Sequence, residues 1–319
     1  MTVTNTEHFG IARKIVSNMT SESWETIPHA CVTYDADVTK FFDVLKEINS
    51  SVENGKKITV NTAILRVIVE GLRFCPKMNG HIKFNRKLVR GTVETIKNID
   101  ISMPVILKNG EMMTINMHNM ESKTMSQMRD SISDSMERAN NSDMNEVMFE
   151  VSMDNTVQGL KHGKILQTLY RLIGSKTGKY KVHTLSGKAK RDYYNIPQSE
   201  RLTKHDIEQG TITVSNLGSI YRGWKGECTI LEIIPPQLVA IGVGAAQKKP
   251  ICTDDGAVGT ALILPLTIAF DHRALDMGDI VPFMQKLDAI FRSPEILKSW
   301  LLSHRCYHRF YTTSHLRQG

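Results

Sequence analysis

The stretch Pro265-Leu266-Thr267-Ile268-Ala269-Phe270-Asp271-His272-Arg273-Ala274-Leu275-Asp276-Met277-Gly278-Asp279 decides the fold. Its first half is apolar and β-branched, and it follows directly on Leu262-Ile263-Leu264. A run of that kind and length suits a strand covered on both faces. It breaks into Asp271, His272 and Arg273, and Asp276 follows just before a helical pattern. Ile280, Met284, Leu287 and Phe291 recur at spacings of 4, 3 and 4, and Pro294 ends the pattern. Titratable residues between an apolar strand and a helix are where α/β proteins place active sites. His272 is the natural base, because an imidazole ordinarily titrates near neutrality. Asp276 is spaced to hold an arginine or to orient the loop. From spacing alone, the same residues also fit a capped helix start with a surface ion pair.

A second strand-to-turn passage lies upstream. In Arg201–Ser219, a short polar helix reads up to Gly210, Thr211 to Ser215 alternates like a strand, and Asn216-Leu217-Gly218 signals a turn. A hydroxyl at that strand end, Ser215, can donate to a developing oxyanion. It can equally bond its own turn backbone. Further β-rich runs cover Cys228 to Ile234 and Leu238 to Val243. Helical spacing predicts a short helix over Ile11 to Met19, one after Asp37 as N-cap, one after Asn61 as cap, and one carrying Met125, Met128, Ile132 and Met136. The methionine stripe reads as adaptable core filler. Strand pieces around Ile82, Leu88 and Ile99 to Leu107 complete an α/β or α+β layered domain.

With 319 residues, 41% apolar and 23% charged, the chain can bury a sizeable core, and a disordered, collagenous or disulfide-stapled chain is excluded. The net charge of +7 favours anionic partners without choosing among them. Nucleic-acid binding would rest on that charge alone, since no recognition motif accompanies it. Cys31, Cys75, Cys228, Cys252 and Cys306 are odd in number, widely spaced and free of CxxC pairs. Reduced thiols and a cytoplasmic location are therefore expected, with no metal. No apolar run is long enough for a membrane span, and Met1–Gly10 lacks a signal-peptide core.

Taken in order, several motifs resemble the catalytic domain of the dihydrolipoyl acyltransferase components of 2-oxoacid dehydrogenase complexes. That family is related in fold to chloramphenicol acetyltransferase. Asp271-His272-Arg273-Ala274-Leu275-Asp276 stands where the family has its DHR signature. Gln209 to Gly218 matches its GGTFTISNLG segment, and Pro235-Pro236 through Gly244 its Pro-Pro-x-x-Ala-Ile-x-x-Gly run. Arg13-Lys14, Ile27-Pro28-His29, Asp37 to Lys40 and Pro76 to Asn79 fit in the same order. The resemblance spans Gly10 to Leu297 and implies an α/β, two-layer mixed-sheet sandwich.

It also implies roles. His272 would be the base that removes a thiol proton, from coenzyme A or dihydrolipoamide. Ser215 would stabilise the tetrahedral oxyanion. Asp276 would have a mainly structural part, paired with an arginine, for which Arg13 is the match. Asp271, Arg273 and Asn216 would support the site. Coenzyme A would be a substrate, and a lipoyl group would come from another protein in trans. The family's site lies between subunits of a trimer, so a homotrimer or a larger assembly is expected, with His272 and Ser215 from neighbouring chains. The alternatives are an O-acyltransferase of chloramphenicol acetyltransferase type acting on a hydroxyl, and a non-catalytic trimeric scaffold.

The sequence departs from the pattern in three ways. Met277 follows Asp276 where the family has Gly. Neither a lipoyl domain nor an Ala/Pro linker precedes the motifs. A segment near Asn141 to Glu200 has no counterpart, and within it Gly159 to Arg191 carries nine Lys/Arg and no Asp or Glu. Ile165, Leu166, Leu169, Tyr170, Leu172 and Ile173 give that segment a broad apolar face. Such a basic amphipathic piece can pack on the domain, dock a partner, lie on an anionic membrane or bound a phosphate channel. In the last reading, charge reversal of Lys176, Lys179 and Lys181 raises the KM for coenzyme A. The expected organisation is one catalytic domain, 1–302, and a basic disordered tail, 303–319. In that tail His304, Cys306 and His308 lie close together, and a frayed terminus explains them better than a metal site.

Overall fold

Strand β1 (His29–Asp37) lies antiparallel to the long β9 (Val258–Asp271), so that His29 faces Asp271. The other strands are β2 (Gly80–Asn85), β3 (Arg90–Thr95), β4 (Ile101–Ile106), β5 (Met112–Met117), β6 (Ile212–Asn216), β7 (Val239–Val243) and β8 (Gln247–Cys252). The main sheet runs β1-β9-β7-β6-β4-β5, with β8 also paired to β9. It is mixed: β4, β6 and β7 are parallel neighbours and the other pairs are antiparallel. β2 and β3 form a separate hairpin. This computed structural model describes residues 2–301 except 54, 109, 111, 162–168, 171–172, 174–183, 222 and 254–255.

The helices are α1 (Ile11–Thr26), α2 (Thr39–Ser50), α3 (Val60–Phe74), α4 (Met125–Asn140), α5 (Met144–Lys161), α6 (Gly187–Asn195), α7 (Lys204–Ile207), α8 (Leu217–Ile220) and α9 (Met277–Arg292). Alternation along the strands separates two faces of the sheet. Ile212 and Val214, Val239 and Ile241, and Leu266, Ile268 and Phe270 turn toward α2, α3, α4 and α9 and form the main core. Each such side chain contributes about 1.5–3 kcal/mol through burial. The methionines Met125 and Met128 are fully buried in that core, as filler rather than ligands. On the opposite face the side chains are small or polar: Cys31, Thr33, Thr213, Ser215, Ala240, Gly242, Thr267 and Ala269. A second, small cluster of Ile27, Ile233, Ala240 and Ala269 forms there.

Several expectations change. α1 extends to Thr26, well past Met19. The cap of α3 is Thr59, whose hydroxyl accepts from the Thr62 N–H, while Asn61 serves elsewhere. The N-cap position of α2 is Val38 and not Asp37; Asp37 stands one residue earlier, where its carboxylate accepts from the Thr39 N–H at 2.9 Å. The polar helix before Gly210 is only Lys204–Ile207. The run Cys228–Ile234 is not a strand; it crosses the small-residue face without regular secondary structure. Its backbone is held by side chains instead of a ladder. The Ile233 N–H donates to His29 Nε2, the Ile233 carbonyl accepts from Ser23, and the Cys228 carbonyl accepts from Thr267. Among the described residues, no helix is long and apolar enough to cross a membrane. The tail lies outside the described residues, and so do Ile165, Leu166 and Leu172 of the basic segment's apolar face and Lys176, Lys179 and Lys181.

Candidate active site

β9 delivers Asp271 to the sheet end, fully buried. Its backbone N–H donates to Leu238 and its carbonyl accepts from Ala274 and Leu275, which closes a tight turn. Its carboxylate takes Arg273 in a bidentate pair, 2.9 Å from Nε and 2.5 Å from the terminal nitrogen. The Arg273 guanidinium in turn lies over the Phe84 ring, 5.7 Å from its centre. Asp271 and Arg273 therefore fix the frame of the turn, as a buried charge needs a partner.

Held by that turn, His272 projects outward, its side chain about half exposed. Its N–H donates to the Pro28 carbonyl, which ties the turn to the chain between α1 and β1. The ring's Nδ1 is 3.1 Å from the Leu275 carbonyl oxygen and 3.2 Å from Asp276 Oδ1. Both neighbours only accept, so Nδ1 carries the proton and Nε2 keeps its lone pair. Nε2 has no hydrogen-bond partner among the described residues. Asp276 itself is the N-cap position of α9, and its backbone N–H donates to Asp279. The expected pairing with Arg13 does not occur: Arg13 is exposed near the start of α1, and Asp276 lies against His272 instead. Met277 begins α9 with no left-handed backbone, so the turn has no need of glycine at that position.

Ser215 ends β6 on the small-residue face. It is only 7% exposed, yet its hydroxyl has no hydrogen-bond partner among the described residues. Asn216 does the local bonding, accepting the Ser219 N–H at 3.0 Å and the Ser219 hydroxyl at 2.8 Å. The turn serine of this motif is thus Ser219, and Ser215 is left free. Gly218 is obligatory beside it, because a Cβ there would collide with the backbone of Gly244 and Ala245. The start of β6 is knotted by the Pro76–Asn79 motif: the Thr211 hydroxyl donates to buried Asn79 at 2.5 Å.

Within one chain the structure does not bring Ser215 and His272 together. Ser215 is level with Gly242 and Gly242 with Thr267, five residues before His272 and two strands away. That separation is on the order of 20 Å.

Three features were not foreseen as functional. His29 is a framework residue, not a second base. Its Nδ1–H donates to Ile27, its Nε2 accepts from Ile233, and burial pushes its pKa below the usual value. Asn61 reaches the Ser215 turn through Asn216 at 2.8 Å. A groove of about 430 Å³ is lined by Lys83, Phe84, Asn85, Arg90, Gly91 and Thr92 of the hairpin. Phe84 joins it to Arg273 and so to the His272 turn. The cluster Lys83, Arg86, Lys87 and Arg90 is the signal in the sequence that pointed to it. Among the described residues, no group of His, Cys, Asp or Glu is arranged to hold a metal ion.

Comparison with known proteins agrees with this architecture. The model of the 2-oxoacid dehydrogenases acyltransferase (catalytic domain) family matches residues 2–152 and 181–298. The unmatched 153–180 falls inside the 141–200 segment singled out above, and the matched parts enter it from both sides. The dihydrolipoyllysine-residue acetyltransferase component of the pyruvate dehydrogenase complex of Rickettsia bellii is 23% identical over 287 residues, 89% of this chain and 52% of that protein. An Arabidopsis thaliana lipoamide acyltransferase component of the branched-chain alpha-keto acid dehydrogenase complex is 32% identical over 103 residues, 32% of this chain and 20% of that protein. The chain thus spans about half the length of the first relatives it matches. The cubic core of a pyruvate dehydrogenase multienzyme complex superposes with a TM-score of 0.64 at 17% identity, covering 93% of this chain and 94% of the other. Azotobacter vinelandii dihydrolipoamide acetyltransferase, studied for the catalytic roles of a serine, a histidine and an asparagine, gives 0.62 at 17%, covering 94% and 95%.

Proposed function

The chain belongs to the 2-oxoacid dehydrogenase acyltransferase family, and on that premise we propose that it moves an acyl group between coenzyme A and a thiol such as dihydrolipoamide. The observation that carries the reading is the orientation of His272. With Nδ1 engaged by Leu275 and Asp276, Nε2 is the atom free to take a proton. His272 Nε2 accepts the thiol proton, and the thiolate sulfur bonds to the thioester carbonyl carbon. The Ser215 hydroxyl donates to the oxygen that becomes negative. Collapse of the tetrahedral adduct breaks the old carbon–sulfur bond, and the departing thiolate recovers the proton from His272. The reaction exchanges one thioester for another, so a base matched to a thiol and an oxyanion donor are the main requirements.

Ser215 and His272 are too far apart in one chain to serve one carbonyl, so we infer that neighbouring copies supply them, as in a homotrimer or a larger assembly. Asp276 orients the imidazole from the Nδ1 side. The Azotobacter protein has an asparagine four residues after its histidine, the same spacing as His272 and Asp276. The hairpin groove, with Lys83, Arg90 and an aromatic wall at Phe84, suits the phosphates and base of coenzyme A.

The test is acyl transfer from acetyl, propionyl, isobutyryl and succinyl coenzyme A to free dihydrolipoamide, with His272→Ala as control. Transfer that disappears in the control, with the assembly intact, is the expected result. Coenzyme A binding without transfer to dihydrolipoamide would move the acceptor to a hydroxyl or amine. Neither binding nor transfer would leave the scaffold reading.

A further inference from the structure

The geometry points to Asn61 as a positioning residue for Ser215, acting through Asn216; this rests on the oxyanion role proposed for Ser215. Asn61 is the second residue of α3, far from Ser215 in sequence. Its Oδ1 accepts from Asn216 Nδ2 at 2.8 Å, and its own Nδ2 reaches only the Met103 sulfur, at 3.8 Å. The cap role that its place at a helix start suggests is taken by Thr59. Its amide oxygen is therefore committed to Asn216 and not to its own helix.

Asn216 is the residue immediately after the donor, and it is held at both ends of its amide. Nδ2 is fixed by Asn61 and Oδ1 by the Ser219 N–H. Its carbonyl holds the Ser219 hydroxyl. On the other side Ser215 is fixed by the ladder to β7. The Ser215 hydroxyl has no hydrogen bond among the described residues to set its place, so the rigidity of its two flanks sets it. One flank is backbone pairing; the other is the Asn61–Asn216 amide link. An oxyanion donor acts only when held at the position of the developing charge, and small displacements cost rate.

Removal of the Asn61 amide frees Asn216 Nδ2, loosens the 216–219 turn and lets the Ser215 hydroxyl wander. Asn61→Asp keeps the acceptor oxygen at the same place, and a carboxylate in the first turn of a helix is well tolerated. Two measurements test this. In hydrogen exchange of the 213–221 segment, Asn61→Ala is expected to exchange faster than wild type at the Ser219 amide, and Asn61→Asp to restore protection. In acetyl-coenzyme A to dihydrolipoamide transfer, Asn61→Ala is expected to lower kcat on the order of tenfold with KM unchanged, Asn61→Asp to stay within twofold of wild type, and Asn61→Ala added to Ser215→Ala to cost less than a further twofold. Unchanged exchange, a full independent loss in the Ser215→Ala background, or a loss equal in Asn61→Asp would each overturn the positioning role while leaving Ser215 as donor. Indifference of the activity to Ser215→Ala would overturn the oxyanion reading and this inference together.

Discussion

The two faces of the central sheet are built from the same strands and do opposite work. Toward the helices stand Ile212, Val214, Val239, Ile241, Leu266, Ile268 and Phe270, all buried and all apolar. Toward the other side stand Thr213, Ser215, Ala240, Gly242, Thr267, Ala269 and Asp271. The first face excludes water and supplies stability. The second is small enough for the 228–236 chain to lie close against it, and polar enough to hydrogen-bond that chain. Thr213 donates to Gln237 at 2.7 Å, and Gln237 donates to the Gly210 carbonyl at 2.8 Å. On this face Thr213 and Thr267 are engaged, whereas the buried Ser215 hydroxyl is left unbonded among the described residues. Substitutions on the helix face should therefore cost folding, and those on the other face should cost function.

The sharpest contrast lies at the sheet end. His272→Ala is expected to lower acyl transfer by about a thousandfold, with unfolding temperature and assembly unchanged because the side chain is half exposed. A variant that keeps a tenth of the activity would remove His272 as the base. Next, Ser215→Ala should reduce kcat by about a hundredfold at constant KM. Ile268→Ala, two strands away in the same sheet and on the opposite face, should destabilise by about 3 kcal/mol and leave the kcat of the folded fraction near wild type. Denaturant unfolding alongside steady-state kinetics separates the two. The comparison breaks if the pair shows the same ratio of stability loss to rate loss.

Gly242→Ala tests how closely the covering chain lies. A Cβ there would come within 2.7 Å of the Leu231 side chain, which must shift. A loss of about 1 kcal/mol is expected, and a neutral outcome would mean that the 228–236 segment is not packed on the sheet. The smallest effect concerns His118, far from both faces' centres. Its Nδ1 is 3.4 Å from Asp100 and its Nε2 3.0 Å from the His205 carbonyl, both acceptors, so the imidazolium suits the site and the Asp100 hydrogen bond raises its pKa. A raised folded-state pKa means that the stabilisation is fully present below the unfolded value, about 6.5, and is lost as pH rises through the folded value. The stability gap between wild type and His118→Gln should therefore shrink from pH 6 to pH 9. A gap that widens would reverse the sign of the assignment.

Much of this was legible because it is local. Pro265 to Asp279 reads as strand, turn and helix, since the continuous apolar run and the 3.6-residue period are written in neighbouring residues, and β9 and α9 follow. Cys228–Ile234 shows the limit. Its β-rich composition predicts a strand, but pairing depends on a neighbouring strand edge, and here side chains of His29 and Thr267 bind its backbone instead. Asn61 shows it again: an Asn at a helix start is a cap by local rule, and only the approach of β6 to α3 gives its amide another partner.

By itself, the sequence determined that β6 and β9 are strands and α9 a helix, and the residue kinds available for chemistry at the ends of β6 and β9. The tertiary structure decided which nitrogen of His272 is free, that His272 and not Arg13 is the near partner of Asp276, and that Ser215 and His272 stand far apart on one sheet. The physical reason is range. Periodicity and turn chemistry act over a few residues and are encoded where they act. Strand register and long-range hydrogen bonds arise only when distant segments meet, and a one-residue slip would change every such contact.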